Sequence, residues 1–426
     1  MLEIKFLREN PEAVKASLRK RNWDEEALQV VDEAIALDAE RRQLQTELDA
    51  LLAESNRAAK EIGKLYREGR REEAEQLKQR VATSKAKSKE LEEALERAKA
   101  GLEDKLLAIP NILHASVPEG KGEADNEVFQ AWEGPLPDLG GDALPHWDLG
   151  TKYGILDFGL GAKITGSGFP VFRGKGARLE RALISFFLDE AARAGYEEII
   201  PPLLVNKATA RGTGQLPDKE GQMYYVERDD LYLIPTAEVP VTNIYRDVII
   251  DKPDFSIKMT GYTPCFRREA GAHGAEVRGL NRVHQFDKVE IVRIEHPDRS
   301  YDALEEMLDH VRGLLEKLEL PYRILRLCGG DTGFTSALTY DFEVYAGAQR
   351  RWLEVSSVSN FETFQSNRLQ LRFRDEKGKR HLAHTLNGSA LALARIVAAL
   401  LENNQTPDGI RIPAALVPYT GFDRIS

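Results

Sequence analysis

The chain has 426 residues, enough for two or three domains with a well-buried core, and its 42% hydrophobic and 30% charged side chains are ordinary for a folded globular protein. Its net charge of −10 argues against a surface that binds nucleic acid indiscriminately, while leaving room for a local basic patch. The opening Met1-Leu-Glu-Ile-Lys-Phe-Leu-Arg is too charged for a signal peptide, no apolar run approaches membrane-spanning length, and Cys265 and Cys328 lie far apart without zinc spacing, so the expectation is a cytoplasmic protein with no membrane partner.

From about Glu25 to Ile109 the chain has almost no Gly and no Pro. Leu37, Leu44, Leu51, Ala58 and Leu65 recur every seven residues, with Leu48 and Ile62 between them. After Gly69 the pattern resumes through Leu77, Ser84, Leu91 and Ala98, and through Val81, Ser88, Leu95 and Leu102. Two heptad runs joined near Glu68-Gly69-Arg70 predict an antiparallel two-helix coiled coil, an arm of about 60 Å at 1.5 Å per residue. Charge is segregated along it. Residues 25–55 are acidic, whereas Lys78, Arg80, Lys85, Lys87 and Lys89 follow one another without a carboxylate. Such a run can replace counterions along a phosphate backbone, though with no aromatic nearby it would read shape rather than bases. A dimerisation coiled coil or a solvated spacer is the plainer reading of heptads alone.

Ile109-Pro-Asn ends the second helix, and a Pro-, Gly- and acid-rich stretch follows, which places a domain boundary between residues 1–110 and 111–426. Beyond it, β-like runs at 197–200, 231–234, 340–344, 351–355 and 369–373 alternate with helical ones at 178–194, 299–318 and 390–402. No GxGxxG or Walker pattern occurs. The fold class expected is α+β with a mainly antiparallel sheet.

Four segments carry chemistry. Thr263-Pro-Cys-Phe-Arg-Arg-Glu-Ala-Gly271 and Arg282-Val-His-Gln-Phe-Asp-Lys-Val-Glu290 alternate like the strands of a hairpin around a Gly-rich loop. Period-2 geometry puts Arg267 with Glu269 on one face, and His284, Phe286, Lys288 and Glu290 together on one face, with Arg268 pointing away. A cation, carboxylates and a ring on one surface suit a charged ligand with a flat base. Leu233-Ile-Pro-Thr-Ala-Glu-Val-Pro240 precedes a helix, so Thr236 is either an N-cap or, with Glu238, part of an amine site. Arg351-Trp-Leu-Glu-Val-Ser-Ser-Val-Ser-Asn360 offers Glu354 and Ser357 as hard-oxygen ligands for Mg²⁺, but their opposite parity requires a kink. Leu386-Asn-Gly-Ser runs from a turn into an apolar helix whose buried stripe is Leu393, Ile396, Val397, Leu400 and Leu401. Arg395 stands among small residues on another face, suited to phosphate or a base.

Together these segments resemble the bacterial-type seryl-tRNA synthetases, class II aminoacyl-tRNA synthetases, over nearly the whole chain. The likeness includes Phe6-Leu-Arg-Glu-Asn-Pro-Glu-Ala-Val14, the arm, Val117-Pro-Glu-Gly120, Arg173-Gly-Lys-Gly-Ala-Arg-Leu179 and Gly212-Thr-Gly-Gln-Leu-Pro217. The hairpin resembles class II motif 2, Asn387-Gly-Ser-Ala to Arg395 resembles motif 3, and Glu198-Ile-Ile-Pro-Pro202 ends a motif 1-like segment, which implies a homodimer. The resemblance implies ATP, with Mg²⁺, as substrate in a site formed by Arg267, Arg268, Glu269, Val283, Phe286, Glu354, Val355, Ser356, Ser357 and Arg395. It implies L-serine held by Thr236, Ala237, Glu238, Arg267, Glu290, Asn387 and Ser389, with Arg267 and Arg395 catalytic. The implied reaction forms seryl-adenylate and transfers serine to the 3′ end of tRNA(Ser), with tRNA(Sec) as a second acceptor left open. Three positions depart from the family: Arg268 where Ser is usual, Val283 where Met is usual, and no Lys before Thr339-Tyr340. A paralogue that loads another carrier would lack the arm, and a non-catalytic coiled-coil regulator would lose the motif arginines.

Overall fold

The computed structural model describes residues 1–218, 220–269 and 278–426. They divide into two compact units: Met1–Arg19 with Trp23–Pro110, and Lys20–Asn22 with Asn111–Ser426. The expected cut after Pro110 therefore has an exception, because a three-residue stretch near the N-terminus packs with the second unit.

The first unit contains helices α1 (Ile4–Glu9), α2 (Pro11–Lys20), α3 (Gln29–Arg67) and α4 (Arg71–Ala108). The last two form the antiparallel coiled coil, turning at residues 68–70, where Gly69 takes φ +79°. Leu48, Leu65, Ala74, Ser88, Leu95, Ala98 and Leu102 are buried along the seam, and the outer positions are exposed. Hydrophobic spacing of 3.5 residues thus settles both helices and their pairing. The basic run is not free of carboxylates in space. Lys78 Nζ meets Glu75 at 3.3 Å one turn back, and Arg80 lies 3.8 Å from Glu54 on the facing helix. On the wheel, residues 78, 85 and 89 share one flank, while 80 and 87 lie about 200° round from 78, so the run is split.

Asp38 is covered entirely inside this unit. It accepts from Arg8 and Arg41 at 2.8 Å and meets Arg42 at 3.1 Å. Burial works to raise its pKa, but the Arg41 and Arg8 hydrogen bonds outweigh it and hold the carboxyl below its usual 3.8.

The second unit is built on an eight-stranded sheet. In chain order its strands are β1 (Glu127–Gln130), β2 (Glu197–Glu198), β3 (Ser256–Phe266), β4 (Gln285–Glu295), β5 (Tyr322–Arg326), β6 (Leu338–Ala346), β7 (Arg351–Asn360) and β8 (His384–Ala392). Their spatial order is β1-β5-β6-β7-β8-β4-β3-β2, antiparallel except where β2 meets β3. Helices α5 (Lys175–Arg193), α6 (Ser300–Lys317) and α7 (Leu393–Asn403) cover it with an apolar layer. Phe186, Phe187, Leu304, Leu308, Phe342, Ile396 and Leu400 are buried together there.

Three local expectations change. Asn387-Gly-Ser389 is no turn but the middle of β8, hydrogen-bonded between β4 and β7, so the helix begins at Leu393 rather than 390. Gly388 suits that place because a Cβ would stand 3.2 Å from both Met307 and Val358. The run at 369–373 is interrupted: Leu369 ends a short helix, Gln370 turns with φ +54°, and only Arg372–Arg374 is strand. Finally, β3 stops at Phe266 and β4 starts at Gln285, so strand parity does not reach Arg267, Glu269 or His284. The Gly-rich loop expected between them falls mostly at 270–277, outside the described residues.

The Asp38 cluster yields a stability prediction. Its arginines are one third to one half exposed, so water screens the pairs and the effect is modest. Asp38→Asn should lower the midpoint of helical unfolding by a few degrees at neutral pH. Because the folded pKa is depressed, that stabilisation exists above the unfolded value and is lost as pH falls through the folded one. Melts followed by helical circular dichroism should show variant and parent converging in acid.

Candidate functional site

A cavity of about 420 Å³ opens on the second unit, walled by β4, β6, β7 and β8, the start of α7 and the loops at 280–283 and 331–336. The residues read from sequence gather there. Thr236, Glu238, Arg267, Glu269, Val283, Phe286, Glu354, Val355, Ser356, Ser357, Asn387, Ser389 and Arg395 all line it. Glu290 and Ala237 are fully buried behind the wall, and Arg268 is exposed outside it. His284 also lies outside, stacked on Phe169 with ring centroids 5.2 Å apart.

One end of the cavity is aromatic and cationic. The Arg267 guanidinium lies 5.3 Å over the Phe286 ring. Beyond the strand end Glu269 takes φ +49° and pairs with Arg282, which keeps its carboxylate at the wall although parity has lapsed. Arg395 donates from Nε to Asn281 O at 2.9 Å and from Nη1 to Glu354 O at 2.7 Å, tying the 280–283 turn to β7. That turn is braced from behind by a buried histidine. Leu280 N–H donates to His146 Nε2 at 2.8 Å, so His146 Nδ1 carries the proton and donates to Glu402, also at 2.8 Å.

The conflict of parity between Glu354 and Ser357 is resolved by a bulge. Glu354 pairs with Glu343 and Ser356 with Phe342, so Val355 is an extra residue in β7. Glu354 and Ser357 then stand on one side with Asp341 of the neighbouring strand. Asp341 is half-buried, with Oδ1 removed from solvent and unpartnered, and desolvation together with Glu354 raises its pKa well above the usual value. Among the described residues no set of three acidic, histidine or cysteine side chains could hold a metal ion. Glu354, Ser357 and Asp341 nevertheless fit a divalent ion that completes its shell with phosphate oxygens.

The other end is buried and polar. Glu290, fully inaccessible, accepts from Thr236 Oγ1 at 3.0 Å and Asn387 Nδ2 at 2.8 Å, and pairs with Lys288 Nζ at 2.7 Å. The Thr236 hydroxyl also accepts the Glu238 N–H at 3.2 Å, but the N-cap of the short helix that follows is Ala237, one residue later than expected. Glu238 receives Gln365 Nε2 at 2.7 Å, and Gln365 takes the Thr385 hydroxyl at 2.8 Å. Burial, then the nearby Glu290 charge, push Glu238 up to about 7.

Sequence reading missed Asn281, Asp341 and Gln365. Asp341 follows from the register once the bulge is known. Gln365 lies on a short helix with no spacing rule to single it out.

Comparison with known proteins comes to the same place. The family model for the seryl-tRNA synthetase N-terminal domain matches residues 1–113, and that for the class II tRNA synthetase core domain (G, H, P, S and T) matches 224–404. A serine–tRNA ligase from Salinibacter ruber is 52% identical over 427 aligned positions, covering 100% of this chain and 99% of the relative. The crystal structure of seryl-tRNA synthetase from Pyrococcus horikoshii complexed with ATP superposes with TM-score 0.91 at 38% identity, covering 100% and 99% of the two chains. Cytoplasmic serine–tRNA ligase from Naegleria fowleri in complex with AMP gives TM-score 0.86 at 28% identity with the same coverage.

Glu238 supplies a pH test. A folded pKa near 7 against an ordinary 4.5 means the folded state holds this proton more tightly. Its stabilisation is full below about pH 4.5 and is lost as pH rises through 7, an effect of about 3 kcal/mol. The Gln365 hydrogen bond, then Lys288 and Arg267, oppose the rise without cancelling it. Denaturant titrations at pH 5 and pH 8 should show Glu238→Gln less sensitive to this change than the parent. Equal sensitivity would mean that Glu238 does not titrate in this range.

Proposed function

The chain belongs to the seryl-tRNA synthetases, the class II serine–tRNA ligases, and from that premise we propose how its own residues divide the reaction. The observation that carries the division is the pairing, in one cavity, of a ring-and-guanidinium end with a buried polar end centred on Glu290.

At the first end, Phe286 stacks on adenine and Glu269 accepts from its amino group. Arg267 neutralises the α-phosphate, and Arg395 spans the adenine and the γ-phosphate. Val283, Val355 and Ser356 shape the nucleotide wall, and Arg268 meets the phosphates from the solvent side. Glu354 and Ser357 are the residues that would hold Mg²⁺ with the nucleotide, where the ion would offset phosphate charge.

At the second end, Glu238 and Thr236 take the serine ammonium. Binding a cation beside Glu238 drives off its proton, so serine recognition is tuned to neutral pH. Glu290 recognises the substrate hydroxyl through the Thr236 and Asn387 groups that it orients at the cavity wall, with Ser389 and the buried Ala237 backbone completing the pocket. A polar receptor is needed because an apolar one could not reject alanine strongly. The serine carboxylate then lies at Arg267, in line with the α-phosphorus. It attacks there, pyrophosphate departs, and Arg267 stabilises the charge that gathers on the phosphoryl oxygens. A terminal ribose hydroxyl of the tRNA next attacks the acyl carbon, and AMP leaves.

The arm holds the tRNA body through Lys78, Arg80, Lys85, Lys87 and Lys89. Recognition by shape and backbone does not itself separate tRNA(Ser) from tRNA(Sec), so both belong to the proposal. The homodimer is supported by exposed apolar side chains: Ile200, beside the two-residue edge strand β2, is 89% exposed, and Ile244 and Leu204 elsewhere in the unit are 49% and 42% exposed. A cytoplasmic location follows from the role in protein synthesis, and no described helix is long and apolar enough to cross a membrane.

Two variants separate the two halves of the reaction. Arg267→Ala should lose serine-dependent ATP–pyrophosphate exchange by about a hundredfold. Reversing Lys85, Lys87 and Lys89 to Glu should leave exchange intact but cut tRNA charging sharply, flattening the log–log salt dependence by about one unit per lost contact. Charging at unchanged KM in the second variant would make the basic run a solvated face.

A further inference from the structure

We propose that Arg21, at the end of α2, is a positioning residue for the amino-acid end of the cavity. Lys20–Asn22 is the stretch that leaves the helical unit and packs within the catalytic one. Arg21 is 9% exposed, and its guanidinium meets carbonyl oxygens rather than a carboxylate. Nε donates to Asn111 O at 2.9 Å, Nη1 to Thr332 O at 2.8 Å and Gly333 O at 3.2 Å, and Nη2 to Ser336 O at 2.6 Å. Burial without an anion lowers its pKa to about 10, so it stays charged at neutral pH.

The seat for this stretch is shaped closely. Asn22 takes φ +62°, and its Nδ2 donates to Gly120 O at 2.9 Å. Gly329 and Gly330 lie directly beneath. A Cβ on the first would come within 2.1 Å of Lys20 O, and one on the second within 2.3 Å of Asn22 Nδ2. Bare backbone at both positions lets the stretch approach the strand-to-strand loop.

Three of the four carbonyls that Arg21 gathers, those of Thr332, Gly333 and Ser336, belong to the loop that forms a wall of the cavity. Asp331, Gly333, Thr335 and Ser336 all line it. Ser336 Oγ continues the contact to Thr339 at 2.7 Å, and Thr339 to Ser359 at 2.8 Å. Thr335 packs beside Gly214, where a Cβ would stand 2.3 Å from its methyl group. The neighbouring Thr213 O accepts from Gln365 at 3.2 Å, and the same Gln365 amide holds Glu238. The chain of contact runs from Arg21 to the amino-acid ligands and stays clear of Phe286, Glu269 and Arg395.

A planar fork is what this loop requires. N–H groups in fixed directions make four bonds to carbonyls spread over residues 111 to 336, whereas a lysine ammonium concentrates its donors at one point. Without the fork the carbonyls are left buried and unmatched, and the loop must shift to recover partners.

The inference rests on the assignment of Glu238 to serine, and steady-state exchange on the full-length chain separates the two. In Arg21→Met, serine KM should rise between about ten- and a hundredfold while ATP KM stays within about twofold. Arg21→Lys should fall between the two, since charge returns without the fork. A purely structural role would move both KM values together, or lower the active fraction without changing either. Unchanged serine KM in folded Arg21→Met overturns the proposal, and if that variant does not fold, unchanged serine KM in Arg21→Lys does so. Glu238→Gln is the control: should it leave serine KM unchanged, the assignment of the serine end itself fails, independently of Arg21.

Discussion

A carboxylate removed completely from water has to be matched on every side, and Glu290 sets that condition for the cavity. Its oxygens are met by Thr236 from the segment before a short helix, Asn387 from β8, and Lys288 two residues back on its own strand. Its backbone carbonyl accepts the Thr260 hydroxyl at 2.9 Å. Three separate stretches of chain must therefore arrive in register before the charge is satisfied. Breaking a buried pair of this kind typically costs about 3–5 kcal/mol, because the remaining charge stays behind uncompensated. A small substrate with its own hydroxyl meets a surface already oriented by those constraints. Selectivity and local rigidity have the same source.

Irregularity in the sheet makes room for the ligands. Opposite β4, Lys288 faces Ala392 and Glu290 faces Ser389, so β8 carries one extra residue beside the buried pair. In β7 the extra Val355 brings Glu354 round to the side of Ser357. Both bulges adjoin the cavity, where strands that stayed regular would turn alternate ligands into the core. Arg395 then links the two regions, holding the 280–283 turn and β7 at once.

Much of this was legible in the chain because it follows from period. Heptad leucines specify the arm, since only one seam buries them all. Alternation on β4 puts Phe286 and Lys288 on the cavity face with Glu290 buried behind them. What escaped depends on where a period stops. The strands end at Phe266 and begin at Gln285, so tertiary contacts rather than parity bring Arg267 and Glu269 to the cavity and turn His284 out of it. Asn387-Gly-Ser389 has turn composition, yet closely spaced neighbouring strands favour a small residue at its centre. Neither the bulge at Val355 nor the bracing of Leu280 by His146 and Glu402, far apart in sequence, leaves a local signature. Arg21 is hidden for the same reason, lying about ninety residues or more from every carbonyl it holds.

The central claim is that Glu290 converts burial into recognition of a hydroxyl. It is tested most directly by the ratio of serine to alanine activation, measured by ATP–pyrophosphate exchange in the parent and in Glu290→Ala. A polar site of this type can reject an analogue lacking the hydroxyl by about 10⁴-fold, because its own buried groups then go unmatched. The account predicts that this ratio collapses in the variant while ATP binding is largely kept. A serine-to-alanine ratio unchanged in the folded variant would contradict it.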